Sequence, residues 1–123
     1  MRNKEDKNLA TLTESASPVS CMVESIVGCK WSLQVLENIR KGICRPGEIE
    51  RNSPGLSTKV LNERLRKLLR FGILHRVSYP QIPPHVEYHF TRFGKRFLQI
   101  IEQVEKLQNE LQEGQWPVEE VDR

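Results

Sequence analysis

The chain has 123 residues, 37% of them hydrophobic and 28% charged, with a net charge of +3. That length suits one domain with one modest core, and so small a charge excess does not by itself mark a nucleic-acid binder; where the charge sits matters more. No apolar run approaches the roughly 20 residues that span a bilayer, and no amino-terminal apolar core marks a signal peptide, so the cytosol, with its cysteines as thiols, is the expected compartment.

Residues 1–17 are polar, rich in Lys, Asn, Glu and Ser, and lack any period. They are read as a flexible arm. Order is expected from Pro18, where Val19, Met22, Val23, Ile26 and Val27 recur at helical spacing and Gly28 ends a first helix. A second helix starts near Lys30, with Trp31, Leu33, Val35, Leu36 and Ile39 as its apolar face and Lys41-Gly42 as its close. Pro46 suits the first turn of a short third helix through Glu48, Ile49 and Arg51. The sequence Asn52-Ser53-Pro54-Gly55 makes a turn, and Ser57 is placed to cap a fourth helix.

That fourth helix, Ser57 to Phe71, places Val60, Leu61, Leu65, Leu68 and Leu69 on one stripe. It carries five basic residues, Lys59, Arg64, Arg66, Lys67 and Arg70, against the single acid Glu63. A short helix, a Gly-containing turn and a basic amphipathic helix form the helix-turn-helix order. The same charges would also serve merely to solvate a surface helix. Gly72 ends the helix, and two strands come next, Ile73–Tyr79 and Val86–Phe90. Pro80, Pro83 and Pro84 cannot donate to a sheet ladder, so they belong to the loop between the strands. The product is a hairpin with a stiff tip beside a basic helix, a winged helix. From Thr91, a good N-cap, a last helix runs to about Glu113. Along it Phe93, Phe97, Ile100, Val104, Leu107 and Leu111 keep a coiled-coil spacing that Leu98 and Ile101 widen.

The series Cys21-x-Val23-Glu24, Gly28-x-Lys30-Trp31, Gly55-Leu56-Ser57-x-Lys59-x-Leu61-x-x-Arg64-Leu65-x-x-Leu68, Gly72-x-Leu74-x-Arg76, Tyr79-Pro80, Pro83-Pro84-x-Val86-x-Tyr88 and Thr91-x-x-Gly94 resembles the HxlR-type bacterial transcription regulators, MarR-like winged-helix proteins, over about Cys21 to Leu111. The resemblance implies a dimeric winged-helix DNA-binding protein, and in some relatives sensing of oxidants or electrophiles through a cysteine at the position of Cys21. The chain departs from the pattern at Met22, often proline; at Cys29, a second glycine; at Pro46, often aromatic; and at His85, frequently arginine. A free histidine is mostly neutral near pH 7, so the last change weakens a charged wing contact.

The expected fold is therefore mainly α with a small β-hairpin, a winged helix-turn-helix over 18–91 that dimerises through its terminal helices, with 92–113 as the dimerisation helix and 114–123 as a tail. In DNA recognition, phosphate contacts set the register and a few side chains read base edges from the amino-terminal part of the recognition helix. Ser57, Thr58, Lys59 and Asn62 are the base-edge candidates, Asn62 suiting adenine and Lys59 guanine. Arg66 reaches base or phosphate, Lys30 at a helix start suits phosphate, and Pro83, Pro84 and His85 belong to the wing contact. Arg64 lies close to the apolar stripe and is read as a brace against the wing or an acid. The coiled-coil positions Phe93, Phe97, Ile100, Val104, Leu107 and Leu111 imply a homodimer and a near-palindromic operator in double-stranded DNA. An amino-terminal helix position for Cys21 favours a thiolate, Glu24 opposes it, and the exposed loop makes Cys44 its candidate partner in a redox switch. No cysteine pair has C-x-x-C spacing, and His85 and His89, four apart on a strand, do not form a helical ligand pair, so neither a metal nor another cofactor is expected. With no Gly-rich phosphate loop, serine nucleophile motif or zinc protease motif, the rival to a regulator is a winged-helix module that binds protein, not an enzyme.

Overall fold

The computed structural model describes residues 18–117. The arm expected over 1–17 and the last part of the tail, 118–123, lie outside the described residues. In chain order the elements are α1 (Val19–Val27), α2 (Lys30–Arg40), α3 (Pro46–Arg51), α4 (Thr58–Arg70), β1 (Leu74–Tyr79), β2 (His85–Phe90) and α5 (Arg92–Gln112). The two strands form one antiparallel hairpin, in register from Leu74 opposite Phe90 to Tyr79 opposite His85.

Several boundaries have a local cause. Pro46 occupies the first turn of α3, where its missing N–H has no partner to lose. The Ser57 hydroxyl oxygen accepts the Val60 N–H at 3.2 Å and caps α4. At the other end of α4, Gly72 takes a φ of 74°. The Gly72 N–H then reaches the Leu69 carbonyl and the Ile73 N–H reaches that of Leu68, each at 3.0 Å. This paired closure is the Schellman motif, and its left-handed residue favours glycine. It turns the chain from the basic helix straight into the hairpin.

The core is one cluster. Ile26 from α1, Val35, Leu36 and Ile39 from α2, Ile49 from α3, and Leu61, Leu65 and Leu68 from α4 meet Ile73, Leu74, Phe97 and Ile101. A buried polar link joins two of these parts. The Asn38 side-chain amide donates to Ser53 Oγ at 3.1 Å and to the Gln34 carbonyl at 2.9 Å, tying α2 to the turn before α4. Ile73, expected to open the first strand, lies just ahead of β1; its side chain is fully buried and its carbonyl serves the start of α5. There it accepts the Thr91 N–H at 3.0 Å, while Thr91 Oγ1 accepts the Gly94 N–H at 2.8 Å.

Helix α5 carries two apolar stripes, not one. Gly94, Phe97 and Ile101 face the core. Phe93, Ile100, Leu107 and Leu111 form a second stripe that stays exposed, Leu107 at 55% and Leu111 at 58%. Phe97 therefore corrects the expectation of a single outward seam: at 1% exposure it is a core anchor. The reason is periodicity. Positions 94, 97 and 101 share one face of a 3.6-residue helix, and 93, 100, 104, 107 and 111 share a neighbouring face.

Candidate nucleic-acid interface

The core positions α4 so that one flank is free. Leu61, Leu65 and Leu68 are buried, and Lys59, Asn62, Arg66 and Arg70 are exposed on the opposite face, in company with the acid Glu63. Their spacing of three and four residues lines them up along the helix. The expected contacts Lys59, Asn62 and Arg66 thus lie together. Ser57 and Thr58 open the same helix with part of their chemistry committed. Ser57 Oγ is the cap, and the Thr58 hydroxyl donates to a Glu50 carboxylate oxygen, bracing α3 against α4.

Lys30 is the first residue of α2, and its Nζ sits 4.9 Å from the centre of the Trp31 ring. Gly55, at φ 93°, turns the chain against that same ring: a Cβ there would lie 3.5 Å from Trp31. The start of α2 is thereby placed at the turn before the recognition helix, with Lys30 exposed. Arg64 does not join the exposed row. It is half-buried, its Nε is buried without a hydrogen-bond partner, and its guanidinium acts on Cys29 at the start of α2.

The hairpin tip exposes Pro83 and Pro84 as expected. It also exposes Ile82 completely, which the sequence reading passed over. A lone apolar residue between prolines in a loop was the available signal. His85 is a correction. It is read from sequence as an outward wing contact, yet its side chain is only 17% exposed. Its ring stacks on Tyr79 with centroids 4.6 Å apart, its Nδ1 meets Gln81 at 3.0 Å and its Nε2 meets Glu87 at 3.2 Å. Strand alternation puts His85 on the same face as Glu87, which meets Nε2, while Gln81 of the tip loop meets Nδ1.

The three cysteines are free thiols. Cys21 lies exposed on α1. Cys44, half-buried in the α2–α3 loop, accepts the Tyr88 N–H on its carbonyl at 2.8 Å. Burial pushes its thiol up, and the nearby carboxylates Glu87 and Glu48 push the same way. Cys29 is the N-cap residue of α2. Burial disfavours its thiolate, but the Ser32 hydroxyl and N–H, the Arg64 guanidinium and the Trp31 N–H outweigh that and hold the thiol below its ordinary value. The sequence reading assigned no role to Cys29; its position directly before a helix was the missed signal. The expectation of no metal set also meets a different arrangement, since Cys44, Glu87 and His89 bring ligand atoms within 4.8 Å of one another.

A free basic face on the helix after a turn, supported by two helices and flanked by a hairpin, defines a winged helix-turn-helix protein. The chain belongs to the HxlR-like helix-turn-helix family, whose model matches residues 26–115. It is similar to the uncharacterized HTH-type transcriptional regulator sll1512 of Synechocystis, 40% identical over 90 residues that make up 71% of this chain and 67% of that protein. Among solved structures it is similar to the reduced form of the transcriptional regulator YodB from Bacillus subtilis, with 26% identity, a TM-score of 0.67, and coverage of 76% and 92% of the two chains. It is also similar to the redox regulator HypR in its reduced form, with 34% identity, a TM-score of 0.59, and coverage of 73% and 88%. The protein is a transcriptional regulator of the HxlR/MarR type, and that family is one of regulators and not of enzymes. Among the described residues no helix is long and apolar enough to cross a membrane.

Proposed function

We propose that the protein acts in the cytoplasm as a homodimer that binds a near-palindromic operator sequence-specifically, and that oxidation at Cys21 switches this binding. The observation that carries the reading is the exposed row Lys59, Asn62, Arg66 and Arg70 beside a proline-tipped hairpin. Lys59 and Asn62 read base edges, Arg66 takes a base or a phosphate, and Lys30 and the wing residues Pro83 and Pro84 hold the backbone. The exposed stripe of Phe93, Ile100, Leu107 and Leu111, with half-buried Val104, is the surface for the second protomer. A twofold pair then sets two recognition helices about 34–36 Å apart along the duplex.

Selection from a pool of random duplexes tests this. The bound fraction should converge on an inverted repeat with half-sites one helical turn apart, and affinity should fall steeply with added salt. Leu107→Asp should sediment as a monomer and lose the repeat. A pool with no enriched sequence, with protein partners captured through the same basic face, would instead favour the protein-binding module.

The redox part rests on the exposure of Cys21 and on similarity to HypR, solved in reduced and oxidised forms, and to YodB, solved reduced and after diamide treatment. Cys44 is the candidate partner for Cys21. Diamide should change operator affinity of the unsubstituted protein and leave that of Cys21→Ser unchanged. An identical response in both would remove Cys21 from the mechanism.

A further inference from the structure

One face of the hairpin gathers titratable side chains. His85, Glu87 and His89 alternate along β2, so their side chains project from the same side of the strand. Opposite them on β1 stand Tyr79, Val77 and His75. The α2–α3 loop brings Cys44 over this face and is pinned there by the bond from the Tyr88 N–H to the Cys44 carbonyl. The Cys44 sulfur, a Glu87 carboxylate oxygen and a His89 ring nitrogen all lie within 4.8 Å of one another, and all three residues are half-buried.

We propose that Cys44, Glu87 and His89 form a binding site for a divalent cation of borderline softness, of the Zn²⁺ class, at the root of the wing. One sulfur, one nitrogen and one oxygen donor suit such an ion, with a water completing a tetrahedron. In a tetrahedral site the sulfur and nitrogen ligands stand about 3.5 Å apart, so side-chain adjustments of roughly an ångström close the set. His85 supports it. Its Nε2 lies 3.2 Å from Glu87 Oε2, while the other carboxylate oxygen faces His89 Nε2 at 2.9 Å. A histidine that holds one oxygen orients the other toward an ion.

The local charges bear on the site in both directions. Glu48 adds a second carboxylate near Cys44. Arg45 is the cation now beside the set, its Nε 3.8 Å from Glu87 and its guanidinium 3.3 Å from the His85 ring. Its side chain is 47% exposed and its Nε also lies 3.8 Å from Glu48, a carboxylate it would keep when an ion takes its place beside Glu87. On binding, the Cys44 S–H bond breaks, its proton passes to solvent, and the sulfur donates its electron pair to the cation with no change of oxidation state. The ion would join the α2–α3 loop to β2. Any effect of that link on DNA binding rests on the proposed regulatory function, whereas the metal titration does not.

The probe is Co²⁺, added to the full chain after chelator treatment under a non-thiol reductant. We expect one equivalent per chain, with the thiolate-to-cobalt charge-transfer band and the intense visible bands of four-coordinate cobalt, both displaced by Zn²⁺. Cys44→Ser and His89→Gln should each weaken binding about 100-fold or more, and Cys21→Ser and Cys29→Ser should leave it unchanged. Where a variant fails to fold, the unsubstituted chain decides: Zn²⁺ should slow alkylation of Cys44 and not of Cys21, read by mass spectrometry. No cobalt bands, bands that survive in folded Cys44→Ser, bands lost in Cys21→Ser or Cys29→Ser, or no protection of Cys44 would each overturn the site.

Discussion

Replacing Asn62 and Arg66 together by alanine is expected to weaken binding to the selected operator by about 2–4 kcal/mol, roughly 30- to 1,000-fold. The melting temperature should hardly move. Both side chains are exposed on α4 and turned away from Leu61, Leu65 and Leu68, so truncation opens no cavity. The two losses should also differ in kind. Asn62 offers the paired donor and acceptor that adenine presents in the major groove, so Asn62→Ala should relax preference at one base pair of each half-site. If Arg66 serves a phosphate, its loss should weaken all sequences alike and flatten the salt dependence by about one unit of slope. Fluorescence anisotropy against matched and single-mismatch duplexes over a salt series reads both. Unchanged affinity in the double variant would remove α4 from the contact.

Gly94→Ala is expected to lower stability by about 3 kcal/mol, a fall in melting temperature of about 15 °C for a domain of this size. A Cβ at Gly94 would stand 1.9 Å from the Ile73 carbonyl oxygen and 2.8 Å from its carbon. Both atoms are backbone, so relief requires α5 to move away from the root of the hairpin. That shift would stretch the bonds by which Thr91 and Ile73 seat the helix. The matched control is Gly47→Ala, whose added carbon meets only the flexible end of Arg51 at 3.4 Å. It should leave the transition where it is or raise it slightly, because alanine is the better helix former. Thermal melts monitored by circular dichroism compare the two, and equal melting temperatures would refute the close-approach argument.

The parts of this fold that were legible from residues alone are those that depend on local periodicity and punctuation. The stripe Leu61, Leu65 and Leu68 orients α4 without help from the rest of the chain, and Gly72 stops it where a left-handed residue is needed. The prolines of the tip separate β1 from β2 because they cannot donate to a ladder. What was not legible depends on which of two neighbouring faces a distant element covers. Phe97 and Ile100 fit one coiled-coil spacing equally well; only the approach of α5 to Ile73, allowed by Gly94, decides that Phe97 goes inward. His85 was misjudged for a different reason. Its neighbourhood suggests a projecting wing residue, whereas the pairing with Tyr79 and the arrival of the Cys44 loop claim its ring from both sides. The alternation of His85, Glu87 and His89 was available in the sequence. Its meaning required the third partner, Cys44, which lies 43 positions before Glu87 and reaches it only through the fold.

The junction at Thr91 has a mechanical consequence. Thr91 bonds through its hydroxyl to the carbonyls of Gly72 and Ile73, the residues just past the end of α4, and its own N–H is spent there too. The 21-residue shaft of α5 is therefore welded at its base to the foot of the basic helix. Under the proposed function, a shift at the base of that shaft would pass to the exposed face of α4 through these bonds, with only Phe71, Gly72 and Ile73 standing between the end of α4 and the hairpin.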